Sequence, residues 1–253
     1  MKLILIILML WMANNPIQNQ KETAVQKHNK RTYLNVFNAL YETEPSITVE
    51  LIDDPACKLL LYHPKQLNIN LVNKRPVFNQ STYMVVPAAY TDKQNRIDGL
   101  CFLNGNKVAN NINTNLTGFC MLRNNTIEIK SLKELTPILQ QSIVTNKATL
   151  FQQSLLVLNS QIISCNLFGN TRSKRRALVK FNNSYCIAES VGPLAIADFQ
   201  KALIRIKATS AINLDMGSWS EGWYKNKQGN QVKIGDNMSS TRQQTNWLIL
   251  SNK

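Results

Sequence analysis

Short apolar runs separated by turn-forming residues fill the chain from Ser46 onward. The first of these runs are SITVELI, KLLLYH, LNINLV, YMVVPAAY and GLCFLNG, and they are rich in β-branched and aromatic residues. Segments with Asp, Asn and Pro lie between them. This alternation predicts strands linked by turns, and Asn104-Gly105 predicts a hairpin turn within LNGNKV.

Three more hairpin patterns follow from Gly118 onward. The segment GFCMLRNNTIEIKSL, which starts at Gly118, contains a strand, an Asn-Asn turn and an alternating strand. The segments SLLVLNSQII and RALVKFNNSYCIAES have the same form, each with an Asn-centred turn. We therefore expect each of these three segments to form a hairpin.

Helical spacing of apolar residues is strongest after Gly192-Pro193. The residues that would share one helix face are Ile196, Phe199, Leu203 and Ile206. A weaker helical pattern lies within residues 131–149, where SLKELTPILQQSI begins with a Ser cap. With many hairpins, few helices and no internal repeat, the sequence predicts an α+β fold, in which a mixed β-sheet and a few packed helices form a single domain.

The N-terminus has the pattern of a signal peptide. Lys2 precedes eleven apolar residues, from Leu3 to Ala13, and a polar segment follows. This run is too short for a hydrocarbon core of roughly 30 Å, which takes about 20 residues. We predict a signal peptide at residues 1–20, a basic lead-in at 21–45 and one domain at 46–253. The mature protein would be secreted or periplasmic, without a transmembrane segment.

The positive charge of the chain favours anionic partners. The sequence has 29 Lys and Arg residues against 15 Asp and Glu residues, a net charge of +14. Such a surface attracts phosphates, acidic polysaccharides, nucleic acid or membrane lipid, although charge of this kind can also serve solubility alone. No specific nucleic-acid partner is predicted.

Histidine and cysteine usage argues against histidine catalysis and zinc. The only histidines are His28 and His63, and the five cysteines include no C-x-x-C pair. In an exported protein these cysteines could form disulfides, or they could be buried free thiols. The sequence indicates no cofactor and leaves a role for a divalent metal ion open.

The segment INLDMGSWSEGWY places a carboxylate at the end of an apolar strand. Ligands bind at the ends of strands in many mixed sheets, which makes Asp215 a candidate site residue. Met216, Gly217 and Ser218 then allow a tight turn whose backbone amides can face an anion or a hydroxyl. Asp before such a turn is also ordinary turn chemistry, so this motif has a purely structural interpretation as well.

The order of motifs resembles the phosphodiester glycosidase family, whose hallmark is a strand leading into Leu-Asp-Gly-Gly-Gly-Ser. INLDMGSWSEGWY is similar to it with Met216 in place of the first glycine, and Leu-Asp-Met-Gly with Gly-Trp-Tyr resembles a bacterial branch. VVPAAYTDKQNRIDGLCFLNGNKV, FQQSLLVLNSQII and RRALVKFNNSYCIAES resemble other family segments in the same order. The resemblance covers residues 80–250. Two departures stand out: Pro87 occupies the place of the family's Asn, and Arg176 that of its small hydroxyl residue.

The resemblance implies hydrolysis of a sugar phosphodiester. Asp215 would act at the anomeric carbon, and Arg175 would hold the phosphate, because arginine binds phosphate bidentately. The residues implied in substrate binding are Arg176, Asn213, Gly217, Ser218, Trp219, Glu221, Trp223, Tyr90 and Asp92. Among these, the tryptophans would stack on a sugar, and Glu221 or Asp92 would supply a second carboxylate.

Each of these assignments has a structural alternative. The RSKRR segment could be an exposed basic patch, and the tryptophans could belong to the core. Alternation along the strand would place Asn213 on the face opposite to the neighbours of Asp215. The expected function is an exported hydrolase with glycosidase activity on a carbohydrate. Two alternatives are a catalytically degenerate binder of anionic glycans or sugar phosphates, and a basic protein that binds anionic polymers through charge alone.

Overall fold

Antiparallel strands make up most of the described chain. A computed structural model describes residues 44–54, 57–165, 171–216, 220–236 and 239–252. The strands are β1 Ser46–Asp54, β2 Cys57–Lys65, β3 Asn68–Val72, β4 Thr82–Pro87, β5 Cys101–Leu103, β6 Asn106–Ala109, β7 Gly118–Arg123, β8 Thr126–Ser131, β9 Thr149–Gln153, β10 Leu155–Leu158, β11 Gln161–Ile162, β12 Arg176–Lys180, β13 Tyr185–Ser190, β14 Ser210–Asn213, β15 Gly222–Lys225, β16 Gln231–Ile234 and β17 Trp247–Ser251. The α-helices among these residues are α1 Pro137–Thr145 and α2 Ile196–Arg205, and short 3-10 helices lie at Leu132–Glu134 and Ser239–Gln243.

The strands form three sheets within one compact unit, residues 45–253. The first sheet has the order β1-β2-β13-β12-β14-β10-β11. The second has the order β16-β15-β4-β17-β3, and the third has the order β6-β5-β9-β7-β8. No helix among the described residues is long and apolar enough to cross a bilayer.

The expectation of an α+β fold with a mixed sheet is wrong, because the fold is mainly β. Every pairing between these strands is antiparallel. The physical reason lies in the connections. A short turn reverses the chain and can only join antiparallel neighbours, whereas a parallel pair needs a long crossover that is usually helical. The hairpin signals of the sequence therefore already implied antiparallel sheets.

Several of the predicted elements are confirmed. Asn104-Gly105 turns the chain between β5 and β6 with positive φ at both residues, 49° and 81°. The predicted hairpins β7–β8, β10–β11 and β12–β13 all form. The strong helical pattern is α2, while the weaker one divides into a 3-10 helix and α1.

Two layers of apolar side chains hold the first sheet. Along β12, Leu178 belongs to the large core that the three sheets share, whereas Ala177 and Val179 belong to a second cluster on the other face. The helix α2 covers that second face with Phe199 and Leu203, which are fully buried. Alternate side chains of β12 therefore pack against the apolar face of α2 on one side of the sheet and against the other two sheets on the opposite side.

We expect Thr136→Ala to lower the free energy of unfolding by about 1 kcal/mol. Thr136 is the N-cap of α1, and its hydroxyl accepts a hydrogen bond from the backbone N–H of Leu139 at 3.2 Å. Urea unfolding monitored by circular dichroism would measure the change. Thr136→Ser keeps the hydroxyl and is the control, and an equal loss in both variants would contradict a capping role.

Candidate active site

Polar side chains that are buried or partly buried gather where the first sheet meets the second. We call the following residues the polar cluster: Tyr90, Arg175, Arg176, Glu189, Asn213, Asp215 and Gln244. Two backbone hydrogen bonds position it, from Leu214 N to Arg176 O at 2.9 Å and from Asp215 N to Ala88 O at 2.8 Å. The second bond ties the end of β14 to the end of β4, so Asp215 lies at the junction of the two sheets.

Asp215 is a buried carboxyl group, with 2% of its surface exposed. Its carboxyl interacts with the backbone N–H groups of Met216 and Thr91 and with the Gln244 side chain. The atom Oδ2 is buried and has no hydrogen-bond partner among the described residues. Burial raises the pKa of Asp215 well above its ordinary value, although these hydrogen bonds and the charge of Arg176 oppose the shift. The site therefore favours the protonated carboxyl more than water does.

Tyr90 connects Asp215 with Asn213 and Arg175. The Asn213 side chain donates from Nδ2 to the Tyr90 hydroxyl oxygen at 2.9 Å and to Leu214 O at 2.9 Å. Burial raises the pKa of Tyr90 well above its ordinary value, and the charge of Asp215 adds to the shift while Arg175 opposes it. The structure thus brings Asn213, Tyr90 and Asp215 together, in keeping with the shared face of residues two apart in a strand.

Within the polar cluster, Arg175 is held by main-chain groups. Its Nε donates to Leu194 O at 3.2 Å and its Nη2 to Thr171 O at 2.6 Å, and its side chain is buried. Burial lowers the pKa of Arg175, whereas Tyr90 and Cys165 raise it. Arg175 therefore interacts electrostatically with Tyr90, and Tyr90 interacts electrostatically with Asp215.

Arg176 forms a buried ion pair. Its Nε and Nη2 donate to Oε2 of Glu189 at 2.8 and 2.6 Å, and its Nη1 donates to Ser220 O at 3.0 Å. The side chains of Arg176 and Glu189 are 0% and 7% exposed. Gly235 packs against this group: with φ at +72°, an added Cβ would lie 2.1 Å from Ser220 O and 3.0 Å from Arg176 Nη2. Arg176 is thus bound within the protein, as expected for a structural arginine.

Glu221 and Trp223 lie in a different environment from the polar cluster. Glu221 forms an ion pair with Arg75, whose guanidinium lies 5.5 Å from the centroid of the Trp247 ring. Trp223 is 4% exposed and packs with Val85 and Trp247 in an apolar cluster. A sugar needs a free ring face for stacking, so the structure supports the core interpretation of Trp223.

Asp92 stabilises the loop that follows Tyr90. Its carboxylate accepts hydrogen bonds from the N–H groups of Gln94 and Arg96 and from Arg96 Nε, each at 2.9 Å. The bond from the Arg96 backbone is the main reason that the pKa of Asp92 is lowered. Asp92 also lines a cavity of about 590 Å³ together with Asp98 and Thr245. The partners of its carboxylate, Gln94 and Arg96, belong to its own loop.

Three of the predicted substrate-binding residues are not described by the structure. Gly217, Ser218 and Trp219 lie outside the described residues. Pro87 is the last residue of β4 and is paired with Trp247. No group of three or more His, Cys, Asp or Glu side chains that could hold a metal ion occurs in the part of the chain that the structure describes.

The amide residues before β17 are site residues that no sequence pattern predicted. Gln244 interacts with the Asp215 carboxyl and accepts a hydrogen bond from the Thr91 hydroxyl. Asn246 is fully buried, accepts from Ala89 N at 2.6 Å and donates to Ala89 O at 3.0 Å. The segment QQTNW could have indicated them. Its amide side chains directly precede an apolar strand, and amide side chains there can form hydrogen bonds with backbone groups.

We expect one of the five thiols to react rapidly in the native protein. All five cysteines are free; Cys165 is half-buried, whereas Cys57, Cys101, Cys120 and Cys186 are buried. Burial raises the pKa of Cys101 and of Cys186 to about 12, which keeps these thiols unreactive. Alkylation with N-ethylmaleimide, followed by mass spectrometry, would measure the stoichiometry. Cys165→Ser should remove the rapid reaction. Rapid alkylation of two or more cysteines would contradict the burial of the other four.

Comparison with solved structures shows which fold this is. The chain is similar to the catalytic domain of zebrafish N-acetylglucosamine-1-phosphodiester alpha-N-acetylglucosaminidase, auto-inhibited by its pro-peptide, with 14% identity, a TM-score of 0.56 and coverage of 83% of each chain. It is also similar to a hypothetical protein from Synechocystis, with 9% identity, a TM-score of 0.52 and coverage of 82% of this chain and 62% of the other. No protein-family model and no curated protein matches the sequence.

These similarities establish the fold. The chain shares the fold of a glycosidase catalytic domain, so the predicted resemblance is confirmed at the level of the fold. Assignment to a bacterial branch of the family gains no support from them. The chain spans less than two thirds of the length of the Synechocystis protein.

Proposed function

We propose that this protein is a hydrolase that cleaves the glycosidic bond of a sugar-1-phosphodiester. The observation that carries the proposal is the position of the Asp215 carboxyl, which is buried beside Tyr90 at the junction of two sheets and whose Oδ2 atom has no hydrogen-bond partner among the described residues. Burial raises the pKa of this carboxyl. A glycosidase needs a carboxylic acid whose pKa is raised, because this group must hold a proton until the leaving oxygen takes it. The fold shared with the zebrafish glycosidase domain supports the same class.

In the proposed reaction, Asp215 donates its proton to the oxygen between the anomeric carbon and phosphorus. The bond from the anomeric carbon to this oxygen breaks and the phosphomonoester leaves. Water then adds its oxygen to the anomeric carbon and gives one proton back to the Asp215 carboxylate. Arg175 lies near Tyr90 and would stabilise the negative charge of the phosphate. Asn213 orients the Tyr90 hydroxyl, which the raised pKa of Tyr90 keeps as a donor.

A binding protein without turnover is the second candidate. The observations that favour it are the burial of Asp215 and the use of two Arg175 N–H groups by main-chain carbonyls. Pro87 in place of the family's Asn removes a side-chain amide and a backbone donor. Such a protein would bind anionic glycans or sugar phosphates and release them unchanged.

Incubation with an N-acetylglucosamine-1-phosphodiester separates the two candidates. For a hydrolase, we expect release of N-acetylglucosamine and a phosphomonoester, measured by mass spectrometry of the reaction mixture. Calorimetry on the same preparation would measure binding. Binding without release, with and without divalent ions, would overturn the hydrolase proposal and support the binder.

We also propose that the protein is exported, since Lys2 and the apolar run from Leu3 to Ala13 have the pattern of a signal peptide. Expression of the full chain and of a chain without residues 1–20, followed by cell fractionation, tests this proposal. The full chain should be found outside the cytoplasm, shortened by about 20 residues, and the truncated chain should stay inside. Retention of both chains in the cytoplasm would refute export.

A further inference from the structure

A second cavity lies where turns of the third sheet meet the second sheet. It has a volume of about 350 Å³ and shares no residue with the polar cluster. The strand β3, at one edge of the second sheet, contributes Asn68 and Asn70. The turns β5–β6 and β7–β8 contribute Asn104, Asn124 and Asn125. Five amide side chains therefore surround one small cavity.

Two cations also line this cavity. Arg123, at the end of β7, and Lys147, between α1 and β9, both contribute to it, and no Asp or Glu does. Neither cation forms an ion pair with another residue of the described ranges. The cavity thus combines uncompensated positive charge with a high density of amide groups, and both features favour an anion that also carries hydrogen-bonding groups.

Local backbone structure explains only the asparagines of the turns. Asn104, Asn124 and Asn125 have φ of 49°, 48° and 62°, and Asn is a residue that tolerates the left-handed conformation. Asn68 and Asn70 are in the extended strand β3, where Asn is disfavoured. Because they are two residues apart, their side chains lie on one face of β3. A ligand in the cavity would account for this pair.

The wall of the cavity is fixed by hydrogen bonds between the two sheets. Asn125 accepts from Ile69 N at 2.9 Å and donates to Leu67 O at 3.3 Å. Asn70 accepts through Oδ1 from Leu71 N at 2.8 Å, and its NH₂ group has no partner among the described residues. The turn β7–β8 is therefore attached to β3, and donors remain available inside a preformed cavity.

We propose that this cavity binds an acidic monosaccharide unit, that is, a sugar ring that carries a carboxylate. Arg123 and Lys147 would bind the carboxylate, and Asn68 and Asn70 would bind ring hydroxyls. The volume of about 350 Å³ lies within the range of small-molecule sites, roughly 300–1,000 Å³. This site is independent of the hydrolase proposal, because its residues lie outside the polar cluster.

Calorimetric titration with glucuronate, glucose and acetate tests the proposal. We expect glucuronate to bind more tightly than glucose or acetate, since only glucuronate offers both the carboxylate and the hydroxyls. Arg123→Gln should weaken glucuronate binding by about tenfold or more, as should Asn68→Ala combined with Asn70→Ala. Lys133→Gln, which removes an exposed cation outside the cavity, is the matched control and should have no effect.

Each outcome of this experiment decides a part of the proposal. If acetate binds as tightly as glucuronate and Arg123→Gln weakens both equally, the site is a simple anion site and the sugar assignment is wrong. If glucuronate does not bind the native protein, or if Lys133→Gln weakens it as much as Arg123→Gln, the proposal is overturned. Urea unfolding of each variant confirms that the fold is retained, and Lys147→Gln provides a second cation variant if Arg123→Gln does not fold.

Discussion

Replacement of Asp215 by Asn should lower the rate of phosphodiester cleavage by a factor of about 10² to 10⁴, which is the typical contribution of a general acid. The side chain keeps its shape, but the amide cannot transfer a proton to the leaving oxygen. The rate of N-acetylglucosamine release measures the loss. Substrate affinity should change little, since the proton is needed in the transition state rather than in binding.

The same variant should be more stable than the native protein at high pH. Burial raises the pKa of Asp215 in the folded state well above the unfolded value of 3.8. Between these two values the folded protein binds more protons than the unfolded chain, so the free energy of unfolding falls as pH rises through this window. An amide at this position cannot ionise, and Asp215→Asn therefore escapes this loss. Urea unfolding of both proteins at about pH 5 and pH 8 compares them.

Asp53→Asn is the control for both measurements. Asp53 is an exposed carboxylate that pairs with Lys58, and their side chains are 61% and 55% exposed. We expect Asp53→Asn to change neither the rate nor the pH dependence of stability appreciably. If Asp215→Asn has the same rate as the native protein, Asp215 is not the general acid. If the free energy of unfolding of the native protein rises with pH relative to that of Asp215→Asn, the raised pKa of Asp215 is wrong.

Glu189→Ala should lower the free energy of unfolding by about 3–5 kcal/mol. The substitution removes the carboxylate that accepts two hydrogen bonds from Arg176 and leaves a guanidinium that is 0% exposed without its counter-charge. Desolvation of an unpaired charge is costly, because water no longer compensates it. Urea or thermal unfolding would measure the change.

The exposed pair Asp53–Lys58 provides the comparison for this effect. Asp53→Ala should cost about 0–1 kcal/mol, because water screens both charges. The double variant Arg176→Met, Glu189→Leu should recover part of the stability lost in Glu189→Ala, since it leaves no unpaired charge. Equal losses for Glu189→Ala and Asp53→Ala would show that the Arg176–Glu189 pair is not desolvated in solution.

Local patterns in the sequence were sufficient for the hairpins and for α2. The turn at Asn104-Gly105 needs left-handed conformations at two adjacent residues, and Asn-Gly is the residue pair that favours them. The helix α2 follows from the spacing of Ile196, Phe199 and Leu203. The class of the fold was missed because a mixed sheet was inferred from the presence of helices, whereas the turns required antiparallel pairs.

Long-range contacts decided the site. The strand end and the family resemblance pointed to Asp215, and the resemblance pointed to Arg175. The structure adds Tyr90, which is far from both in the sequence and interacts electrostatically with each. Arg176 was expected to bind substrate, and its partner Glu189 on the neighbouring strand converts it into a buried ion pair. Strand pairing brings such residues together, and no local pattern records which strands are neighbours.

The sequence by itself determined where the chain turns, which segments extend, and that a carboxylate follows the strand ending at Asn213. Only the tertiary structure decided that this carboxyl group is buried and that its pKa is raised, because burial is a property of all the surrounding elements. It also decided that Gln244 and Asn246 hold the same junction from the far end of the chain. Turn chemistry acts between adjacent residues, whereas the pKa of Asp215 depends on packing between two sheets.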